Sequence, residues 1–199
     1  AWVATPWPSR HGRPGIAQTL RIMKQTFRLV DTTRALEESA DCLAGGTSFF
    51  LDTEFEQRSG DTTLCLIQVS SGDEIFLIDT LRLAAMDRLV RAIGSGDIQW
   101  VLHSGKTDVE LLLEKFQLAE PPRLFDTQVA WGLSGAEYSV SLAYLNYKLL
   151  GQRSEKEHQA DPWDGRPLPE SQLAYAASDI ATLPQLKSHL EERLDSAGK

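Results

Sequence analysis

The chain is poor in the residues that staple, anchor or electrostatically blanket a protein. Its 199 residues include two cysteines, Cys42 and Cys65. Two are too few for a disulfide framework, and they lack the paired spacing of a zinc site. Cys65 sits within the apolar run Leu64-Cys65-Leu66-Ile67 and reads as a small core residue. No apolar run is long enough to span a bilayer, so no membrane contact is expected. There is no internal repeat and no low-complexity tract. Cationic charge is also scarce: 20 Lys and Arg stand against 28 Asp and Glu, a net charge of −8. That excludes a protein that coats polyanions by bulk charge. It is compatible with a cation-dependent site, because ligand carboxylates keep such a site acidic until cations arrive.

What is present fits one well-packed globular domain. The hydrophobic fraction is 42% and the charged fraction 24%, both ordinary for a folded chain of this length. Residues 1–22 differ from the rest. They hold Arg10, His11, Arg13 and Arg21, three prolines and two tryptophans, and no acidic residue. They contain no continuous apolar stretch of the kind a secretory signal needs. The first methionine, Met23, directly precedes the strand-like run Lys24–Val30. Residues 1–22 are therefore expected to be a flexible extension, with a targeting peptide as the second reading, and 23–199 a single domain. A reducing, cytoplasmic setting is expected.

Periodicity predicts the elements. Residues 32–44 read as a helix capped by Asp31 or Thr32 and stopped by Gly45-Gly46. Strands are expected at Ser48–Glu54, Thr62–Ser70 and Glu74–Asp79, with Ser71-Gly72-Asp73 as a hairpin turn. Met86, Leu89, Val90 and Ile93 form a helical stripe ended by Gly94. Ile98–Leu102 reads as a strand, Val109–Phe116 as a helix broken by Pro121-Pro122, and Arg123–Phe125 as a short strand. From Asp126, itself a candidate helix cap, the chain reads as mostly helical. Such an order predicts an α/β fold, a mixed sheet flanked by helices.

Within this frame the most informative segment is Leu51-Asp52-Thr53-Glu54-Phe55. Side chains alternate along a strand, so Asp52 and Glu54 face the same way. Two ionised carboxylates at the end of an apolar strand repel each other and are costly to desolvate. A divalent cation between them removes that cost. Asp108 falls in the first turn of the helix after His103-Ser104-Gly105-Lys106-Thr107, where the helix dipole alone would favour it. Tyr175 and Asp179 are four residues apart and share a helical face. The small residues between them permit close approach.

Taken in order, the Asp52–Glu54 segment, His103–Asp108 and Tyr175–Asp179 resemble the three exonuclease motifs of the DEDD superfamily, tyrosine subclass. Phe125-Asp126-Thr127-Gln128, Arg166-Pro167-Leu168 and Gln172–Ala177 add a resemblance to the ribonuclease D family over roughly residues 27 to 190. This resemblance implies a ribonuclease H-like fold and 3′-5′ exonuclease chemistry with two divalent metal ions, Mg²⁺ or Mn²⁺. It implies catalytic roles for Asp52, Glu54, Asp108, Tyr175 and Asp179. The four carboxylates would hold the ions and Tyr175 would orient the attacking water. The expected reaction releases nucleoside 5′-monophosphates from the single-stranded 3′ end of RNA, in RNA or tRNA processing or turnover. Two ions suit the chemistry, since one can serve the nucleophile and the other the leaving oxygen.

Five further residues are candidates for substrate contact, each with a structural alternative. Phe55 would stack on the terminal base or pack in the core. Gln68 would touch substrate or act as a structural amide. His103 would meet phosphate or be a buried, hydrogen-bonded histidine, the latter slightly favoured. Lys106 and Arg166 would bind phosphate, against a default of solvated charge. Two departures from the family pattern stand out. Pro162 separates Asp161 from Trp163 ahead of Arg166-Pro167-Leu168, which reshapes that loop. The helical C-terminal domain that full-length ribonuclease D carries is not expected within these 199 residues. No long basic stripe is visible, so poorly processive degradation is expected. The rivals are a DNA 3′-5′ exonuclease and, further off, a non-catalytic nucleic-acid-binding domain of the same fold.

Overall fold

Phe49 and Leu51 point to one side of the central strand and Phe50 to the other, and each side is buried in its own apolar cluster. This is a sheet covered on both faces. The structure, a computed structural model, describes residues 26–94, 96–135, 137–153 and 161–198. The extension expected over residues 1–22 lies outside the described residues.

The strands are β1 (Phe27–Val30), β2 (Ser48–Arg58), β3 (Asp61–Ser70), β4 (Ile75–Asp79), β5 (Gln99–Leu102) and β6 (Arg123–Asp126). They form one sheet in the order β1-β4-β3-β2-β5-β6. The β2–β3 and β3–β4 pairs are antiparallel, whereas β1–β4, β2–β5 and β5–β6 are parallel. The helices are α1 (Thr33–Leu43), α2 (Asp87–Ile93), α3 (Lys106–Phe116), α4 (Thr127–Leu133), α5 (Leu142–Leu150), α6 (Glu170–Ala181) and α7 (Leu183–Ser196). Side chains of α1, α2 and α3 cover one face, around Trp100 and Phe49. Those of α4, α5, α6 and α7 cover the other, around Leu66, Leu77 and Val101. The mixed, helix-flanked sheet expected from the sequence is the sheet observed.

Most boundaries fall within a residue of expectation, but the helix expected from Val109 begins at Lys106 and the end of β2 differs most. β2 runs on to Arg58 rather than stopping at Glu54, pairing with β3 as far as Arg58↔Asp61. Glu56, Gln57 and Arg58 are polar and lack a buried face, so periodicity does not mark them as strand. The ladder extends because Ser59 (φ +50) and Gly60 (φ +96) form a tight turn whose positive φ values match strand twist. A register shift between Glu54 and Phe55 bends the ribbon beside the acidic residues.

The short β5 creates the site. It pairs with β2 through Ser48, Phe49 and Phe50, and the next residues of β2 project past its carboxyl end. Open α/β sheets bind ligands just beyond such strand ends. The helix α6 packs across β2, β3 and β4. Its Ala176 and Ala177 are buried against the sheet, and their small side chains let the helix sit close.

Candidate active site

Asp52 and Glu54 face the α6 side of β2, and Asp179 reaches them from α6. One carboxylate oxygen of each lies within 4.8 Å of the others. All three are partly buried, so water screens their repulsion poorly. Burial raises the Asp52 carboxyl well above its usual range, reinforced by the charges of Asp108, Asp179 and Glu54. Burial and then Asp179 push Glu54 up to about 8, against the opposing hydrogen bond from Gln68. Burial pushes Asp179 up to about 7, against a hydrogen bond from Tyr175. Three such groups hold protons unless a cation neutralises them. The donor set is all oxygen, which suits hard divalent ions.

The fourth carboxylate arrives differently. Asp108, in the first turn of α3, is buried and accepts a 2.5 Å hydrogen bond from the Thr53 hydroxyl. Thr53 points to the opposite face of β2 from Asp52 and Glu54. Burial raises the Asp108 carboxyl as well, and the Thr53 bond works against that rise. Asp108 therefore flanks the three-carboxylate group and adds to the negative potential at Asp52.

Tyr175 donates its phenolic hydrogen to Asp179, one helical turn along α6. Burial, then the charges of Asp179 and Glu54, raise the phenol above its already high range. With the carboxylates unneutralised, the phenol is a hydrogen-bond donor to Asp179. Its ring lies 6.3 Å from that of Trp163 at an interplanar angle of 35°. Trp163 is anchored in turn by its backbone N–H, which donates to Glu56 at 2.6 Å.

The five weaker candidates separate clearly. Gln68 is fully buried opposite Asp52, and its Nε2 donates to Glu54 at 3.2 Å. It is placed to hold a carboxylate rather than to meet substrate directly, while its Oε1 is buried without a hydrogen-bond partner. His103 is tied at both ring nitrogens, to the Thr127 hydroxyl at 2.9 Å and to the Val140 carbonyl at 3.0 Å. Burial lowers its basicity, and with both ring nitrogens engaged within the protein His103 sits as a buried, hydrogen-bonded histidine, the reading slightly favoured over a phosphate contact. Phe55 is half-buried against the Phe49–Leu51 cluster. Lys106 is 88% exposed and lies 3.9 Å from Glu110, one turn along α3.

Arg166 corrects the sequence expectation. Its Nε and Nη2 form a two-pronged pair with Asp79 at 2.6 and 2.9 Å. Nη1 donates to the carbonyls of Trp163 and Gly165, and Nη2 also to that of Cys65. All five guanidinium donors thus face protein acceptors. The loop around Pro162 is shaped from within by this residue, and no donor remains for a phosphate. Asp126 caps α4 as expected, accepting from Gln128 and Val129. It also accepts from the backbone N–H groups of Ser104 and Gly105, fixing the turn that leads to Asp108.

Sequence reasoning missed Thr53, Trp163 and Glu56. Thr53 carries a signal in retrospect, as a hydroxyl wedged between two acids on a strand. Nothing in the sequence marks Trp163 as the neighbour of Tyr175.

A family model described as 3′-5′ exonuclease matches residues 27–195. The chain belongs to the 3′-5′ exonuclease family. Ribonuclease D of Acidiphilium cryptum is 34% identical to this exonuclease chain over 176 residues, covering 86% of it and 44% of the relative. The chain thus spans less than half the length of that relative. The crystal structure of Escherichia coli RNase D, an exoribonuclease involved in structured RNA processing, superposes with a TM-score of 0.80 at 28% identity, covering 87% of this chain and 46% of that one. Brucella melitensis NrnC, solved bound to pGG, superposes with a TM-score of 0.73 at 26% identity, covering 88% and 84%. NrnC has also been solved with bound Mg²⁺. The expected ribonuclease D resemblance and ribonuclease H-like fold therefore hold. Among the described residues no helix is long and apolar enough to cross a membrane.

Proposed function

We propose that this chain is the catalytic unit of a metal-dependent 3′-5′ exoribonuclease that removes nucleoside 5′-monophosphates from single-stranded RNA ends. The observation that carries the reading is the group Asp52, Glu54 and Asp179, mutually within 4.8 Å, with the Tyr175 hydroxyl bonded to one of them. Asp52, Glu54 and Asp179 would hold two divalent cations, Mg²⁺ or Mn²⁺, with Asp108 contributing from the flank. When bound, such ions acidify an attacking water and stabilise the leaving 3′ oxygen. Tyr175 orients an oxygen beside Asp179. Gln68 fixes the rotamer of Glu54, and the turn pinned by Asp126 fixes Asp108. Phe55 offers its exposed edge to the terminal base, and Lys106 is the candidate for an upstream phosphate. RNA is favoured over DNA by the ribonuclease D relatives. A role in RNA or tRNA 3′ processing or turnover, in the cytoplasm, follows from the same relationship. Residues 1–22 are proposed to lie outside the exonuclease domain.

The test is a time course on one RNA labelled at either end, with Mg²⁺, with Mn²⁺ and with EDTA, beside a DNA of the same sequence. The expected result is labelled mononucleotide from the 3′ label and a ladder one nucleotide apart from the 5′ label. Both should require metal and be slower on DNA. Internal fragments, or cleavage in EDTA, would refute the reading.

A further inference from the structure

Along the chain, α5 falls between two segments that meet residues near the candidate site. Just before it, the Val140 carbonyl accepts from His103 and from Gln128, beside the end of β5. Beyond it, the chain is back at the site by Trp163, whose ring neighbours Tyr175. Between these points, residues 141–153 contain Lys148 and Arg153 and no acidic residue, in a chain whose net charge is −8. They also contain Tyr144 and Tyr147, so two aromatic residues precede the two basic ones along the same helix and its end.

The end of α5 brings two of these together. Gly151 adopts φ +67, a left-handed turn that glycine accommodates readily. Its N–H bonds to the Tyr147 carbonyl, and that of Gln152 bonds to the Asn146 carbonyl. The chain folds back, and the Arg153 guanidinium comes to lie 5.8 Å above the Tyr147 ring. Tyr147 is nonetheless 52% exposed, so the stack faces solvent. One turn back, Lys148 lies 5.3 Å above Tyr144. The Tyr144 hydroxyl donates to Glu137, which ties that ring to the body and leaves Tyr147 as the open surface. Aromatic rings and guanidinium planes both stack on nucleobases irrespective of sequence, and adjacent cations attract the backbone.

We propose that Tyr147 and Arg153, with Lys148 beside them, form a stacking platform for the single-stranded RNA that trails the scissile 3′ end. This rests on the nuclease reading above and adds to it a second, metal-independent contact. It is small enough to hold a few nucleotides and leaves the enzyme poorly processive.

The experiment separates the platform from the catalytic centre. Binding of a fluorescent single-stranded 12-nucleotide RNA is measured in an Asp52→Asn background, where cleavage is blocked. Cleavage of the 12-mer and of a dinucleotide is measured with Asp52 intact. Tyr147→Ala should weaken 12-mer binding about 10-fold and raise its KM similarly, with dinucleotide turnover unchanged, because base stacking is lost. Tyr147→Phe should bind within twofold of the parent, which excludes misfolding as the cause. Arg153→Ala should lower the slope of log affinity against log salt by about 0.7. Unchanged 12-mer binding in Tyr147→Ala, or equal losses on dinucleotide and 12-mer, would overturn the platform. Absence of cleavage with Asp52 intact would instead overturn the nuclease reading and leave the binding contrast to be read separately.

Discussion

Asp79 and Asp52 stand on strands of the same sheet, with β3 between them, and the protein treats them in opposite ways. Asp79, at the end of β4, is 1% exposed and meets the guanidinium of Arg166 through both oxygens. The chain supplies its own cation there, with two donors on Asp79 and the other three on the carbonyls of Trp163, Gly165 and Cys65. Asp52, on β2, meets Glu54, Asp179 and the flanking Asp108. The chain brings carboxylates together there and supplies no cation among the described residues. Both arrangements bury negative charge, which is costly alone. In one the cost is met during folding. In the other it is left for something that binds afterwards. A functional site is the place where a fold leaves its charge uncompensated, and the contrast predicts what mutations at each site should do.

The largest effect is expected at the uncompensated site. Asp52→Ala should abolish exonuclease turnover and leave the domain folded, with a metal-free unfolding midpoint equal to or above that of the parent, because repulsion is relieved. Turnover assays and thermal unfolding in EDTA check both halves, and a loss of stability would erase the contrast with Asp79. Tyr175→Phe should slow single-turnover cleavage by about 10²–10⁴-fold with little change in RNA affinity. The packing against Trp163 survives, but the hydroxyl is lost. An unchanged rate would remove the phenol from the mechanism.

At the compensated site the prediction reverses. Arg166→Ala should cost about 3–5 kcal/mol of stability, the usual effect of stranding one half of a buried pair. Chemical denaturation measures it, and Asp79→Asn in the same chain should recover part of the loss. The KM for RNA of whatever folds should stay within twofold. A large rise in KM would mean that Arg166 meets phosphate after all. Gln68→Ala should lower affinity for Mn²⁺ by about 10–100-fold, as loss of a partner behind a ligand does, read by calorimetric titration. Unaltered affinity would make Gln68 a simple core amide.

The smallest effect distinguishes the sites by pH. With Glu54 raised from 4.5 to about 8 and Asp179 from 3.8 to about 7, the folded metal-free state binds more protons than the unfolded one across that range. Stability must therefore fall as pH rises from about 4 to 8. The unfolding midpoint in EDTA should drop by several degrees between pH 5 and pH 8, at about 2–4 °C per kcal/mol. Saturating Mg²⁺ at pH 8 should restore it, and Asp52→Asn should flatten the slope. A midpoint that rose with pH would contradict the uncompensated cluster.

Several of these features were legible in the residue order. Alternation put Asp52 and Glu54 on one face of β2, because a strand repeats every two residues. The four-residue spacing put Tyr175 and Asp179 on one face of α6, because a helix nearly repeats every four. Asp126 announced itself as a cap by preceding a helix start. Such readings rely on local geometry, which depends on few neighbours. The reach of β2 to Arg58 was hidden, since its last residues have no buried face and owe their pairing to the Ser59-Gly60 turn.

The sequence by itself placed Asp52 and Glu54 on one face of a strand and Tyr175 and Asp179 on one face of a helix, because periodicity is a local property of the backbone, while the family resemblance singled them out as a set. The tertiary structure alone decided how those residues are compensated. It gave Arg166 to Asp79, His103 to Thr127 and Val140, Thr53 to Asp108 and Gln68 to Glu54, while leaving Asp52, Glu54 and Asp179 facing one another. Those pairings span between 14 and 87 residues of chain. A charged or polar side chain looks the same in sequence whether its partner is solvent, substrate or another part of the fold. The distinction arises when packing removes water and each buried group must find whatever partner the fold has placed beside it.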